Sequence, residues 1–314
     1  NFYTSPNLGP EAMITYYYND TYKSLKEKRT EKEKELIKNK IDVVYPDYEA
    51  FKAEREENEQ TLVFTIKNDK GQVVKKEFKK PTEGLQRFHW DLRYTLQTPI
   101  DLSTPSFYNP WSTIDEGTLA QPGKYTVEMG LYKDGVLNRL VSPVSFNVIG
   151  LDNTVMPAED RAEKVAFQKQ VSQLEANLQA CQKIISETNT KLRYIKSAIK
   201  RSELPFEELS KEVLDIENKL NDINISLYGN PVKRKLDISQ QQNPATRIGN
   251  ISYEQKYSTS TPTKTHRDSY SIAKVKIDAI KQKVEAIYNV DLKQLEEKLV
   301  NSGAPYTPGR GSKD

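Results

Sequence analysis

The sequence predicts an α+β multidomain chain: an antiparallel β-sandwich with a charged helical insertion, then an antiparallel three-helix bundle or coiled-coil hairpin. Three observations predict it. Short runs of alternating apolar and polar residues, bounded by turn residues, recur as far as residue 150. A seam with steps of three and four then runs through Phe167, Val171, Leu174, Leu178, Cys181, Ile185, Leu192, Ile195 and Ile199, with Thr188 filling its one gap. Two further stripes of the same period follow it.

Residues 1–12 hold Pro6, Gly9 and Pro10 and are expected to be a linker from an upstream domain. The sandwich is expected over 13–150, with a helical insertion over about 21–57. Its first strand is Ala12–Tyr18. Lys23–Ile41 carries only a thin apolar stripe (Leu25, Leu36, Ile37, Ile41) and reads as a solvated helix. Glu27, Glu31, Glu33 and Glu35 offset its lysines, which argues against a polyanion site. A short helix over Asp47–Glu57 completes the insertion.

Leu62, Phe64 and Ile66 alternate with polar neighbours, and Asn68-Asp69-Lys70-Gly71 turns the chain into Val73–Phe78. Phe88, Trp90 and Leu92 are expected on one face, and His89, Asp91 and Arg93 on the other. Thr95–Gln121 is a long loop with Pro99, Pro105 and Pro110. Tyr125, Val127, Met129 and Leu131 form the next strand, Asp134-Gly135 signals a type I′ hairpin, and Val144, Phe146 and Val148 close the set. Six or so short antiparallel strands with these turns make a sandwich.

The helical part is expected over 151–303, with helices at about 158–201, 205–228 and 266–301 and a tail over 304–314. Pro157 suits a first helical turn, with Glu159 and Asp160 near the positive end of the dipole. The second stripe is Phe206, Leu209, Val213, Ile216, Leu220, Ile223 and Leu227. The short 202–204 connection makes the first two helices antiparallel neighbours. Residues 230–265 are polar and read as an excursion outside the core. The third helix starts near Thr265, where Thr265 and Asp268 have capping-box-like spacing. Its stripe is Ile277, Ile280, Val284, Ile287/Tyr288, Leu292, Leu295 and Leu299, and the slip near Tyr288 predicts local unwinding. Gly303 caps it.

Charge narrows the function. Forty-seven basic residues stand against 44 acidic ones, a net charge of +3, so no strong field favours nucleic acid. No apolar run approaches the roughly 18 residues of a membrane span, so direct membrane insertion is not expected. One cysteine, Cys181, excludes an internal disulfide and a cysteine-cluster metal site, and its place on the seam makes it a core residue. The two histidines, His89 and His266, fall in different modules, and no glycine-rich phosphate loop occurs. Lys233-Arg234-Lys235 is too short a basic run for nucleic acid and reads as a solvated turn. No catalytic residues, cofactor or metal are expected in these residues.

The best candidates for ligand binding are Asp91, Tyr108, Trp111 and Asp115, with Asp101, Glu116 and Phe107 nearby in sequence. Carboxylates beside aromatic rings suit sugar binding or glycoside cleavage. The same aromatics equally serve to seal the end of a sandwich. Thr113-x-Asp115-x-Gly117 matches part of an Asp-box, but Ala120 stands where its aromatic residue belongs.

Val73-Val74, Gly84, Trp90-Asp91 and Pro122-Gly123-Lys124-Tyr125-Thr126-Val127 resemble the Ig-like domain of the flagellar hook-cap (FlgD-like) family. That pattern runs Trp-Asp-Gly-Arg, and here Leu92 replaces the glycine. A wider likeness adds Pro6-Asn7, Ile14-Thr15-Tyr16-Tyr17, Tyr45-Pro46, Pro157-Ala158-x-Asp160-Arg161, Ser258–Thr263 and Gly303–Arg310. Together these resemble the C-terminal third of bacterial proteins that carry a sortilin-like, BNR/Asp-box β-propeller. Such proteins are often labelled glycosyl hydrolases, are common in Bacteroidetes and are usually exported.

The resemblance implies a chain that begins just after the propeller and ends at the natural C-terminus. It implies a non-catalytic structural and protein-interaction module in the periplasm, on the outer membrane or outside the cell. The implied partners are the upstream propeller and another envelope or surface protein, or a second copy in a homo-oligomer. Exposed heptad positions beyond the shorter second helix are the expected contact face. A glycan-binding or glycoside-hydrolase accessory role for the 95–121 loop is the alternative.

Overall fold

A computed structural model describes residues 9–96, 98–102, 117–150, 158–203 and 205–310. The fold is mixed α+β with antiparallel sheets. The chain divides into two compact units, one from Asn1–Thr95 with Asp115–Asn153 and the other from Leu96–Ile114 with Thr154–Asp314.

In the first unit β1 (Ala12–Tyr18) pairs antiparallel with β4 (Gly84–Trp90). A four-stranded antiparallel sheet has the order β3 (Val73–Lys79), β2 (Thr61–Asn68), β5 (Gly123–Lys133), β6 (Val136–Val148). Period-two patterning sets the faces. Along β1, Ile14, Tyr16 and Tyr18 turn inward while Met13 and Tyr17 are exposed. Leu62, Phe64, Phe88 and Met129 form one apolar cluster, to which Ile14 and Tyr16 are added. The Phe64 ring lies 4.7 Å from Tyr16 and 4.6 Å from Phe88. A second cluster holds Ile66, Val74, Trp90 and Tyr125. Trp90 meets Tyr125 edge-on at 5.3 Å, and its indole N–H donates to the Arg93 carbonyl at 3.0 Å. The two sheets therefore share their buried faces.

The turns follow their chemistry. Asp134 and Gly135 both have positive φ, 48° and 81°, as a type I′ hairpin requires. Leu92 also has positive φ, 52°, just past the end of β4. Two charged helices, α1 (Leu25–Lys38) and α2 (Tyr48–Glu56), lie between β1 and β2. A capping box of Ser24 and Glu27 starts α1. Arg29 ties the pair together, donating to both carboxylate oxygens of Glu54 at 2.6 and 3.1 Å and to Glu33 at 2.7 Å. Neither helix has a buried residue.

In the second unit α3 (Arg161–Ile199) is 39 residues long, with Asp160 as its N-cap. It is followed by α4 (Phe206–Tyr228), α5 (Pro231–Lys235), α6 (Pro244–Tyr257) and α7 (Lys264–Ala286). A π-helical turn at Ile287–Asp291 then leads into α8 (Leu292–Asn301). One core joins the seams of α3, α4, α7 and α8, and Cys181 lies within it. Thr188 satisfies its own hydroxyl on the Ile184 carbonyl at 2.7 Å. The register slip near Tyr288 coincides with the π turn, where an extra residue enters the helix.

Three expectations are corrected. The 230–265 stretch is not an excursion outside the core, because α6 buries Ile248 and Ile251 in it. Its start signal is Asn243-Pro244, a side-chain N-cap followed by proline at the first helical position. Its apolar stripe is only two isoleucines long, and buried Gln255 takes the next place. Secondly, α7 begins two residues earlier than the Thr265/Asp268 spacing suggested, with Thr263 as N-cap and His266 closing the capping box. Thirdly, the seam of α3 is buried from Phe167 to Ile199, so it offers no exposed heptad face.

If α6 is a core helix, Ile248→Ala should cost about 2–4 kcal/mol, comparable with Ile277→Ala on α7. Urea unfolding checks this. A loss below about 0.5 kcal/mol would place α6 outside the core.

Candidate functional site

The expected ligand residues sit on the 95–121 loop and the strand before it. Tyr108, Trp111 and Asp115 lie outside the described residues. Asp91 is described, and it is exposed at the end of β4. Its Oδ1 accepts the Arg93 backbone N–H at 3.0 Å, and its Oδ2 is 3.9 Å from Lys75 Nζ. That carboxylate shapes a turn. Asp101 belongs to the second unit, where Lys183 of α3 donates to it at 2.7 Å.

The ends of the loop are closely held. The Tyr94 N–H donates to the Thr118 carbonyl at 3.0 Å, and Ala120 N–H to the Leu92 carbonyl at 2.6 Å. Arg93 Nη1 donates to the Gly117 carbonyl at 2.9 Å. The Thr95 N–H donates to the Val74 carbonyl at 3.0 Å. Gly117 has a steric reason: a Cβ there would lie 1.8 Å from the Tyr94 carbonyl oxygen. The Asp-box likeness is not needed to explain that glycine.

Beneath the clamp, the Tyr125 hydroxyl donates to the Gln121 carbonyl at 2.8 Å and lies 3.3 Å from the Tyr94 hydroxyl. Burial, followed by the Tyr94 hydroxyl, raises the Tyr125 pKa well above the ordinary tyrosine value. This pair anchors the loop ends to the core, a role that alternation alone did not indicate.

Polar groups also converge where α3, α6 and α7 meet. Gln168 Nε2 donates to the Gln255 carbonyl at 2.7 Å, and Gln255 Nε2 lies 3.1 Å from His266 Nδ1. The Thr263 N–H donates to the same Nδ1 at 3.2 Å, so Nδ1 acts as an acceptor and Nε2 faces Glu254. Lys164 donates to the Ser258 carbonyl, and burial lowers its pKa. Both nitrogens of His266 are engaged in holding helices. His89 pairs with Glu11 at 2.9 Å in the other unit. Among the described residues no group of three His, Cys, Asp or Glu is placed to hold a metal, and no helix is long and apolar enough to cross a membrane.

No protein-family model, curated protein or solved structure matches this chain.

Two outcomes follow from the clamp. Gly117→Ala must push the Tyr94 carbonyl away, and should cost about 1–3 kcal/mol in urea unfolding. An unchanged midpoint would show that the loop ends are not locked together. The second outcome concerns alkali. A folded-state pKa raised above the unfolded one gives stability that is complete below the unfolded value, about 10, and is lost as pH rises through the folded value. Stability should therefore fall as pH rises above about 10, and Tyr125→Phe should make that fall shallower. Identical pH slopes in the two proteins would contradict the assignment.

Proposed function

We propose that this chain is a non-catalytic structural and protein-interaction module, at the C-terminus of an exported sortilin-like propeller protein. In this reading the first unit is an Ig-like sandwich of the FlgD type that buttresses the propeller, and the second is a helical bundle. Several of the motifs behind the resemblance serve as fasteners. Trp90 of the Trp-Asp motif packs on Tyr125 of the Pro-Gly-Lys-Tyr motif. Ala158 N–H donates to the Thr259 carbonyl at 3.0 Å, and Glu159 N–H to Thr261 Oγ1 at 3.3 Å. Pairs of motif segments far apart in sequence thus hold each other in place, as scaffold residues do.

The observation that carries the interaction role is the connection between α1 and α2. Val44 and Tyr45 are 84% and 85% exposed, and Ile37, Ile41 and Tyr48 are more than half exposed. Large apolar side chains clustered along one short stretch suit a protein contact better than a solvated turn. With the seam of α3 buried, this exposed stretch is taken as the contact face in this reading. Charges on both helices keep the arm soluble, and the Arg29–Glu54 pair fixes their pairing.

The test is capture of a partner from native envelope extract by the chain and by a Val44→Asp/Tyr45→Ser variant. Both residues are exposed, so the variant should keep its stability within about 0.5 kcal/mol. The wild-type chain should retain a stoichiometric partner that the variant loses. Equal capture by both proteins would remove the arm from the interface.

A further inference from the structure

His266 joins α6 to the start of α7 through three bonds that fit one protonation state of its ring. The Thr263 N–H donates to Nδ1 at 3.2 Å and closes the capping box. Gln255 Nε2 stands 3.1 Å from the same nitrogen. A backbone N–H and an amide NH2 can only donate, so Nδ1 carries no proton and accepts from both. The ring proton is therefore on Nε2, where it meets the Glu254 carboxylate. The histidine side chain is 15% exposed, so solvent protons reach it.

Gln255 is 2% exposed, and its Oε1 is fully removed from solvent with no hydrogen-bond partner. The amide thus gives His266 a donor and keeps an acceptor unused. A proton arriving at Nδ1 sets three donors against one another: the new ring N–H, the Thr263 N–H and Gln255 Nε2. Turning the amide over about its last bond exchanges two groups of similar size, needs no added room and brings Oε1 to the ring N–H. The Thr263 N–H is backbone and has no such exchange, so it must lose its acceptor. The Glu254 bond survives, because Nε2 donates in both states. The other charges of the joint are engaged elsewhere. On α3, Glu163 pairs with Arg267 and Lys164 donates to the Ser258 carbonyl; on α7, Lys264 pairs with Asp268.

We propose that His266 and Gln255 form a pH-sensitive latch at the start of α7. With the ring neutral the latch is closed, and Nδ1 holds both the Thr263 N–H and the Gln255 amide. With the ring doubly protonated, Gln255 turns Oε1 to it, one half of the capping box opens, and the first turn of α7 loosens from α6. The latch lies within the second unit and is independent of the arm and of any propeller partner.

NMR on the full chain tests this between about pH 8 and about pH 5, the range in which histidine ordinarily changes charge. The chain has two histidines, so labelled rings give two sets of signals, and His89→Gln tells them apart. At the upper pH the His266 ring should be the Nε2–H tautomer. As it gains its second proton, the Gln255 side-chain amide and the Thr263 N–H should shift with the same midpoint, and the Thr263 N–H should lose protection against hydrogen exchange. His266→Gln, whose amide oxygen can hold the Thr263 N–H without titrating, should keep the cap and abolish the pH response. A ring that stays neutral throughout overturns the latch. So do Gln255 and Thr263 signals that do not follow the ring, or a Thr263 response that survives in His266→Gln. If that variant does not fold, the signals of the unaltered chain decide alone.

Discussion

The second unit depends on one constraint: α3 carries an apolar seam that the helix from α7 to α8 flanks along its length, while α4 covers the other flank only in part. At 1.5 Å per residue its 39 residues span about 58 Å, whereas the 23 residues of α4 span about 35 Å. The difference would leave the N-terminal part of the seam, which packs against α7 through Phe167 and Tyr270, with one flank uncovered. The 14 residues of α6 add about 21 Å and lie where α4 stops. Cross-links along α3 trace the handover. Lys196 bonds Glu217 of α4, and Gln182 meets Tyr228 at the end of α4. Ser252 of α6 then donates to Glu175, Gln255 meets Gln168, and Ser258 meets Lys164. Asn230 and Gln240 bond each other across the connection, at 2.8 and 3.1 Å. A cover made of two shorter helices thus needs a braced joint, and the polar segment supplies it.

This explains what was legible in the sequence. Long stripes with steps of three and four mark α3, α4 and the α7–α8 helix, because a sustained seam has few other outcomes. The slip at Tyr288 was legible too, since one extra residue in a continuous seam needs a wider turn. The strands of the first unit followed from alternation and from Asp134-Gly135. By contrast, α6 was hidden because two isoleucines make a weak periodic signal, and because Gln255 takes a core position through hydrogen bonds that depend on α3 and α7. Asn243-Pro244 was the one local sign of it. The start of α7 was displaced for a related reason. His266 is an unusual closing residue for a capping box, and only its geometry shows that it takes that place. Of the ligand candidates, Asp91 alone is described, and its turn role depends on the Arg93 backbone, which spacing does not reveal.

The two units divide the apolar residues differently. In the second, the long seams are enclosed, and the polar groups between helices act as fasteners. In the first, the sheets bury aromatic clusters, while the helices inserted between β1 and β2 bury nothing. Those helices are held by caps and by ion pairs, of which Arg29 with Glu54 and Glu33 is partly buried. The apolar tip of this arm, with Val44 and Tyr45 largely exposed, is the surface that the proposed partner contact would use.

Leu92 bears on how far the Trp-Asp motif can be carried. Glycine at that place in the pattern that this motif resembles suits a left-handed backbone, which other residues reach at a cost of roughly 1–2 kcal/mol. Leu92 takes up such a conformation, with φ of 52°. Its side chain packs against the cluster of Trp90 and Tyr125, and its carbonyl accepts the Ala120 N–H that closes the loop. Partial burial of a leucine is worth a stabilisation of similar size. Leucine at this position therefore takes up the backbone turn that the loop clamp requires. Leu92 thus anchors in the core the turn that holds the two ends of the loop together.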